Sequence, residues 1–329
     1  MIIDQEKSNL PLVSIVIPTH NRKEKLFRLI DSILSSEYHQ ERIEIVIVDD
    51  ASNDGTFEAI KTKFLIDSIR IIRNEKNLLV AKTRNIGIIN STGDYIFFVD
   101  DDIVLDKKTI YDLVKFIQEE KDNILAGPII YQLGRPQYIW SAGLRMNFWT
   151  AFGRFMHRDK MDNGQFTDPI ECDALTASFM VHRDLLNRVG LFNADLFPTA
   201  FEEIDFCIRY KILGYKVLVL PSAKVWLEHK KGYFWPLSWG FYYGTRNRLI
   251  AHKLWSKNCP QFAISRILSI FFALVFLFLK STFYPQNYIQ CAKAIFKGLW
   301  DGLKMSSKVE SYAVRLKKGK DIIYIDSNK

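Results

Sequence analysis

The chain has 329 residues, 48% of them apolar and 25% charged, with a formal net charge of +8. That balance excludes a disordered chain, and the length allows one large domain or two small ones around a sizeable core. The charge is uneven: residues 224–329 hold 18 Lys and Arg against 5 Asp and Glu, so residues 1–223 are mildly acidic, and the basic part is expected to face phosphate, as nucleic acid or as anionic lipid.

Two signals alternate over the first 120 residues. VSIVIP (13–18) and EIVIVDD (44–50) are short β-branched runs, and between them Leu26, Leu29, Ile30, Ile33 and Leu34 fall at helical spacing. SIRIIRN (68–74) reads as a third strand, residues 81–90 as a helix, and DYIFFVDDD (94–102) as a fourth strand. Nearly continuous apolar strands alternating with helices predict an α/β fold, its mostly parallel sheet covered by helices on both faces. Residues 127–171 read as irregular, GYKVLVLP (214–221) as a strand closed by its proline, and a boundary falls near residue 230.

Beyond that boundary GYFWPLSWGFYYGTRNR is dense in aromatics and bases, and ILSIFFALVFLFL (267–279) is apolar for 13 residues. That is short of the roughly 20 needed to span a bilayer. Ile289, Ala292, Phe296, Leu299 and Leu303 recur at helical spacing beside Lys293, Lys297 and Lys304, the pattern of a helix lying in a membrane surface. Trp- and Phe-rich apolar runs fit a bilayer better than base stacking, so no nucleic-acid partner is expected. Four widely spaced cysteines without a CxxC pair argue for a reducing compartment, and MIIDQEKSNLP lacks the pattern of a secretory signal.

Ligands of parallel sheets bind at the carboxyl ends of the strands. Polar residues gather there: Thr19-His20-Asn21, Asp49-Asp50 and Asp100-Asp101-Asp102. Three adjacent carboxylates repel one another, and a hard cation such as Mg²⁺ or Mn²⁺ relieves that cost while taking its remaining ligands from substrate phosphates. On an extended strand Asp100 and Asp102 would share one side and Asp101 the other. No P-loop or GxGxxG fingerprint occurs.

VSIVIPTHNR, EIVIVDDASNDGT, AKTRNIG, GDYIFFVDDD and FEEIDFCIRYKILGYKVLVLP, in that order, resemble the family 2 glycosyltransferases of the GT-A fold, with a rhamnosyltransferase-like cast. The resemblance implies a catalytic domain over 1–230 with a Rossmann-like sheet, followed by a helical, basic region over 231–329 that associates with membrane. It implies that Asp102 coordinates a divalent cation with help from Asp100 and His229. Pro18, Thr19, Asp50, Arg84, Asp100 and Asp101 would bind the nucleotide sugar. Where the family usually shows ED or DD this chain has Glu202-Glu203; the second carboxylate is the expected base, and Asp205 would meet the acceptor.

The activity so implied is inverting transfer of a hexosyl or deoxyhexosyl group from a nucleoside-diphosphate donor. The acceptor would be a hydroxyl of a lipid-linked or other membrane-proximal glycan, at the cytoplasmic face of the cell membrane. Two alternatives stand beside it. A nucleotidyltransferase would need a Gly-rich loop where the chain has PTHNRKEK, and a non-catalytic membrane-surface protein would need none of these carboxylates.

Overall fold

A computed structural model describes residues 10–64, 66–228, 237–256, 260–261, 263–271, 275, 288–312, 315 and 318. The strands β1 (Val13–Thr19), β2 (Ile43–Asp49), β3 (Ile69–Arg73) and β4 (Tyr95–Val99) form a parallel block in the order β3-β2-β1-β4. Every residue of β1 and β4 is buried. The reason is a two-sided core: Ile15, Ile17, Phe97 and Val99 point into one apolar cluster, and Val16, Ile96 and Phe98 into the other. Alternation of side chains along a strand thus serves two cores at once.

Helices α1 (Lys23–Leu34), α2 (Thr56–Lys63) and α3 (Val80–Ile89) connect these strands, and α4 (Thr109–Glu119) follows them. The spacing read in α1 is the buried face: Leu26, Leu29, Ile30 and Ile33. Helix α3 lies close on β1 because Gly87 has no side chain; a Cβ there would sit 2.4 Å from Val16 Cγ1.

Three sequence expectations change. Strand β4 ends at Val99, and Asp100–Asp102 form a turn closed by Ile103 N–H to Asp100 C=O at 3.2 Å, so the strand alternation assigned to the three aspartates does not apply. The chain resumes as β5 (Ile103–Leu105), antiparallel to a later strand. Residues 127–171 are not irregular: they hold most of β6 (Ile124–Gln132), then β7 (Arg135–Ser141), the two-stranded ribbon β8 (Leu144–Asn147) and β9 (Phe152–Phe155), and β10 (Ile170–Glu171). Short ribbons of mixed burial carry no clean period, which is why the sequence hides them.

After β11 (Ser178–His182), α5 (Arg183–Val189) and α6 (Glu202–Ile212), strand β12 runs from Lys216 to Leu227. It passes through Pro221 instead of ending there, with a register shift between Leu220 and Lys224, the kind of bulge at which a sheet tolerates proline. Strands β6 and β12 pair in parallel, and antiparallel β11 joins them to β4.

Helix α7 (Leu237–Trp255) contributes Ile250, Ala251, Leu254 and Trp255 to the same core as β4 and β6. Helix α8 (Tyr288–Ser306) packs on α7 through Cys291, Ile295, Gly298, Leu299 and Gly302, whereas Ile289, Phe296 and Trp300 are exposed. The expected apolar stripe is split: Leu299, with Ala292 and Leu303, packs on the Leu249–Ile295 cluster, and Ile289 and Phe296 stay exposed. The backbones approach so closely that a Cβ on Gly298 would lie 2.7 Å from Tyr242 O, so small residues choose the face. Among the described residues no helix is long and apolar enough to cross a membrane; residues 272–274 and 276–279 of the apolar run lie outside them.

Asp205 ties α6 to this C-terminal layer. It is 0% exposed and accepts from Arg209 Nε at 3.2 Å, Trp255 Nε1 at 3.2 Å and Tyr312 OH at 2.7 Å. Truncating one partner of a buried ion pair strands the other charge. Asp205→Ala is expected to lower the free energy of unfolding by about 3–5 kcal/mol, with a smaller loss for Asp205→Asn, as read from urea denaturation. A change of under about 1 kcal/mol for both would contradict this role.

Candidate active site

The parallel register sets Thr19 beside Asp49, and the β1–β4 pairing brings the turn after β4 to the same edge. A cavity of about 690 Å³ opens there, with Pro18, Thr19, Asp50, Arg84, Asp100, Asp101, Glu202 and Glu203 in its lining. A volume between roughly 300 and 1,000 Å³ is that of a small-molecule site.

Arg84, on α3, is the centre of this edge. It is 2% exposed, yet its guanidinium is surrounded by three carboxylates: Nη2 donates to Asp100 Oδ1 at 2.6 Å and to Glu203 Oε1 at 2.7 Å, and Nη1 donates to Glu202 Oε1 at 3.1 Å. Its other side packs over the Phe192 ring at 5.5 Å, a face of the aromatic cluster in which Phe192 stacks on Phe206 at 4.4 Å. One cation and three carboxyl groups leave surplus negative charge in a water-poor place. Burial therefore pushes the Glu203 carboxyl up to about 8, with the Arg84 charge opposing the rise and Asp100 and Glu202 adding to it. Glu202 moves the same way for the same first cause.

Glu203 Oε1 also accepts from Ala177 N–H at 3.0 Å, whereas the buried Glu202 Oε2 has no hydrogen-bond partner. The segment before these residues is strained, with Ala200 at φ 51° and Phe201 at φ 78°. Asn21, Ala51, Leu79 and Ala177 beside the cavity also have positive φ. Non-glycine residues avoid that region, and its use at binding edges reflects a surrounding structure that enforces it.

The aspartates of the turn diverge. Asp101 is buried, accepting from Thr19 Oγ1 at 2.8 Å and Arg22 Nη1 at 2.7 Å, and burial raises its carboxyl to about 6 against the opposing Arg22 charge. Asp102 is not in the cavity lining and pairs with Arg22 at 3.1 Å and Lys25 at 3.5 Å. Asp50 lines the cavity, but its carboxylate accepts from the Leu78 and Leu79 amides at 2.7 and 2.9 Å and from Asn74 Nδ2 at 2.8 Å, so it holds the 74–79 loop. Arg84, expected at the donor, lines the cavity and holds these carboxylates there. Asp205, expected at the acceptor, lies outside the cavity lining and does the structural work described above. His229 lies outside the described residues.

Sequence reading missed several lining residues. Trp239 and Tyr243 of α7 reach the cavity from beyond the expected boundary, and Arg22 bridges two of the aspartates. The aromatic density of WPLSWGFYY was the available signal for the first pair.

Among the described residues no three His, Cys, Asp or Glu side chains converge as a ready metal site. The donor set nevertheless fits a hard cation that keeps water and substrate oxygens as ligands. Glu202 Oε2 is a buried carboxylate oxygen without a partner, and the Asp100 side chain is 32% exposed at the cavity with only its Oδ1 bound to Arg84.

The glycosyl transferase family 2 profile matches residues 14–190. Poly(ribitol-phosphate) beta-N-acetylglucosaminyltransferase TarP of Staphylococcus aureus (strain N315) is 35% identical over 118 residues, covering 35% of this chain and 36% of its own. The match thus spans only about a third of that relative. Among solved structures, GalNAc-T7 with UDP, GalNAc and Mn²⁺ superposes with a TM-score of 0.63 at 21% identity, covering 75% of this chain and 48% of that one. A mannosyltransferase from Pyrobaculum calidifontis in complex with GDP-Man and Mn²⁺ gives a TM-score of 0.54 at 17% identity, covering 95% and 80%. These likenesses establish the GT-A fold, and with the profile match across more than half its length, the chain belongs to glycosyl transferase family 2.

Proposed function

We propose that this chain is an inverting glycosyltransferase that moves a sugar from a nucleoside-diphosphate donor to a hydroxyl of a glycan acceptor. The observation that carries the reading is the cluster of Asp100, Glu202 and Glu203 on one buried guanidinium, at the wall of a cavity sized for a small ligand. Neighbours of the same fold were captured with UDP or GDP-Man and Mn²⁺, and TarP is named for transfer to a poly(ribitol-phosphate). These relatives support a nucleoside-diphosphate sugar donor and a polymeric acceptor.

Glu203 is the general base. It takes the proton of the acceptor hydroxyl as that oxygen bonds to the anomeric carbon, and the bond from that carbon to the diphosphate oxygen breaks in the same displacement. One displacement inverts the centre. Arg84 keeps Glu203 and Asp100 aimed at the cavity, and Glu202 shares that guanidinium. Pro18 and Thr19 offer the wall for the nucleotide, and Asp50 shapes it by fixing the 74–79 loop. Asp100 and Asp102, with His229, would hold the divalent cation, which when bound would neutralise the departing diphosphate.

The acceptor is membrane-proximal in this reading, and the enzyme works at the cytoplasmic face of the membrane. Support comes from α8, whose exposed side combines Ile289, Phe296 and Trp300 (72% exposed) with Lys293, Lys297 and Lys304. Apolar anchors among lysines favour anionic lipid.

Glu203→Gln is expected to lower kcat by about 10²–10⁴-fold with little change in donor KM. Because the base must be ionised and burial raises its pKa, kcat/KM of the wild type should climb with pH through a limb near 8 instead of near 4.5. A limb near 4.5, or a variant of wild-type rate, removes Glu203 from the role.

Chelation should abolish transfer and Mn²⁺ or Mg²⁺ restore it, with Asp102→Ala needing more metal for half-activity. Undiminished turnover in chelator would overturn the metal assignment. Vesicles containing anionic phospholipid should co-sediment the protein, and Phe296→Ser with Trp300→Ser should weaken that binding by about tenfold or more. Equal recovery with neutral vesicles would refute the membrane placement.

A further inference from the structure

The ribbon β8–β9 stands off the main sheet and walls a second depression of about 1,450 Å³, distinct from the Arg84 cavity. Its lining includes Arg145, Trp149, Phe152, Arg154, Lys211 and Trp255. Arg145 and Arg154 are directly opposite each other across the ribbon. Like charges in that position destabilise a strand pair, and a two-stranded ribbon has little stability to spare. Arg154 makes no ion pair with any described residue. Behind the wall, Arg248 stacks over Phe152 at 3.9 Å, also without an ion pair among the described residues.

The carboxylates facing this groove do not balance these charges. Asp173 takes Lys211 at 2.7 Å and Arg145 at 3.8 Å, and Glu171 lies 3.6 Å from Lys211. Four cations thus share two acids. Three large aromatics sit on or beside the same ribbon and remain open to solvent: Phe148 at 38%, Trp149 at 50% and Phe152 at 41%. Clustered exposed aromatics mark a binding surface, and flat rings beside fixed cations suit a ligand that offers sugar faces and anionic groups together.

We propose that this groove binds an anionic glycan, a sugar chain bearing phosphate or carboxylate, and so holds remote units of the acceptor. The two depressions share α6: Glu202 and Glu203 at its first turn line the cavity, and Ile208, Lys211 and Ile212 line the groove. At about 1.5 Å per residue, Lys211 lies roughly 12 Å along the helix from Glu203, a separation that a short run of sugars bridges. The inference rests on the proposed glycan acceptor, and its test needs no turnover.

Binding of labelled oligogalacturonate, malto-oligosaccharide of equal length and oligothymidylate is measured by fluorescence anisotropy on the full chain, with UDP binding measured by calorimetry on the same samples. Oligogalacturonate should bind about tenfold or more tightly than the neutral sugar, and Arg154→Ala should lose about tenfold of that affinity. The same variant should keep or raise its thermal midpoint, because it removes a like-charged cross-strand neighbour; a purely structural arginine would lower it. Trp149→Ala should weaken both sugars. Equal binding of charged and neutral sugars, undiminished binding by Arg154→Ala, or oligothymidylate bound as tightly as oligogalacturonate would each overturn the proposal. UDP binding unchanged in the variants reports an intact Arg84 cavity, so loss of UDP binding alone counts against the donor reading and not against the groove.

Discussion

A guanidinium buried to 2% exposure is the constraint on which the rest of this site depends. Arg84 cannot shed its charge, and an unpaired cation in a core is far too costly to keep. The fold meets that demand with carboxylates from two distant segments, Asp100 after β4 and Glu202-Glu203 at the start of α6. These segments are more than a hundred residues apart, and the pairing of β11 with β4 joins them, because Ala177 bonds Asp100 through its carbonyl and Glu203 through its amide. The same arginine rests on Phe192, so the aromatic core beneath fixes its height.

Neutralisation overshoots, and that is what turns a structural ion cluster into a candidate reactive one. Three acids on one base, most of their surface removed from water, raise the cost of the last negative charge and lift Glu203 out of the ordinary carboxyl range. A base held in that condition gains from the arrival of positive charge or of a proton donor. Structural ion networks shift pKa values too, but this one borders a cavity and a strained backbone at Ala200 and Phe201. The combination is the stronger mark of function.

Much of this was legible in the sequence where local pattern decides structure. The apolar strands 13–18 and 44–50 follow from continuous β-branched runs and the face of α1 from a period-3.6 repeat, and strand ends locate Thr19, Asp50 and Asp100 in the cavity wall. Less was legible where long-range contact decides. Asp102 and Asp205 carry the same carboxylate as Asp100, but Lys25 and Arg22 claim one, and Arg209, Trp255 and Tyr312 the other. Helix α8 shows the same limit: the stripe contained Ala292, Leu299 and Leu303, which pack on α7, and Ile289 and Phe296, which do not, and the close approach at Gly298 and Gly302 decides between them. The arginine pair of β8–β9 is invisible without the register that opposes them.

The central claim is that Arg84 sets the electrostatics of Glu203, and an NMR titration of the Glu203 carboxyl in wild type and Arg84→Met tests it most directly. Burial raises that pKa while the guanidinium restrains the rise. Removing the cation should therefore move the titration further upward, with the fold retained near neutrality because the freed acids take up protons. An unchanged midpoint, or one that falls, would show that Arg84 is a bystander and would contradict the account.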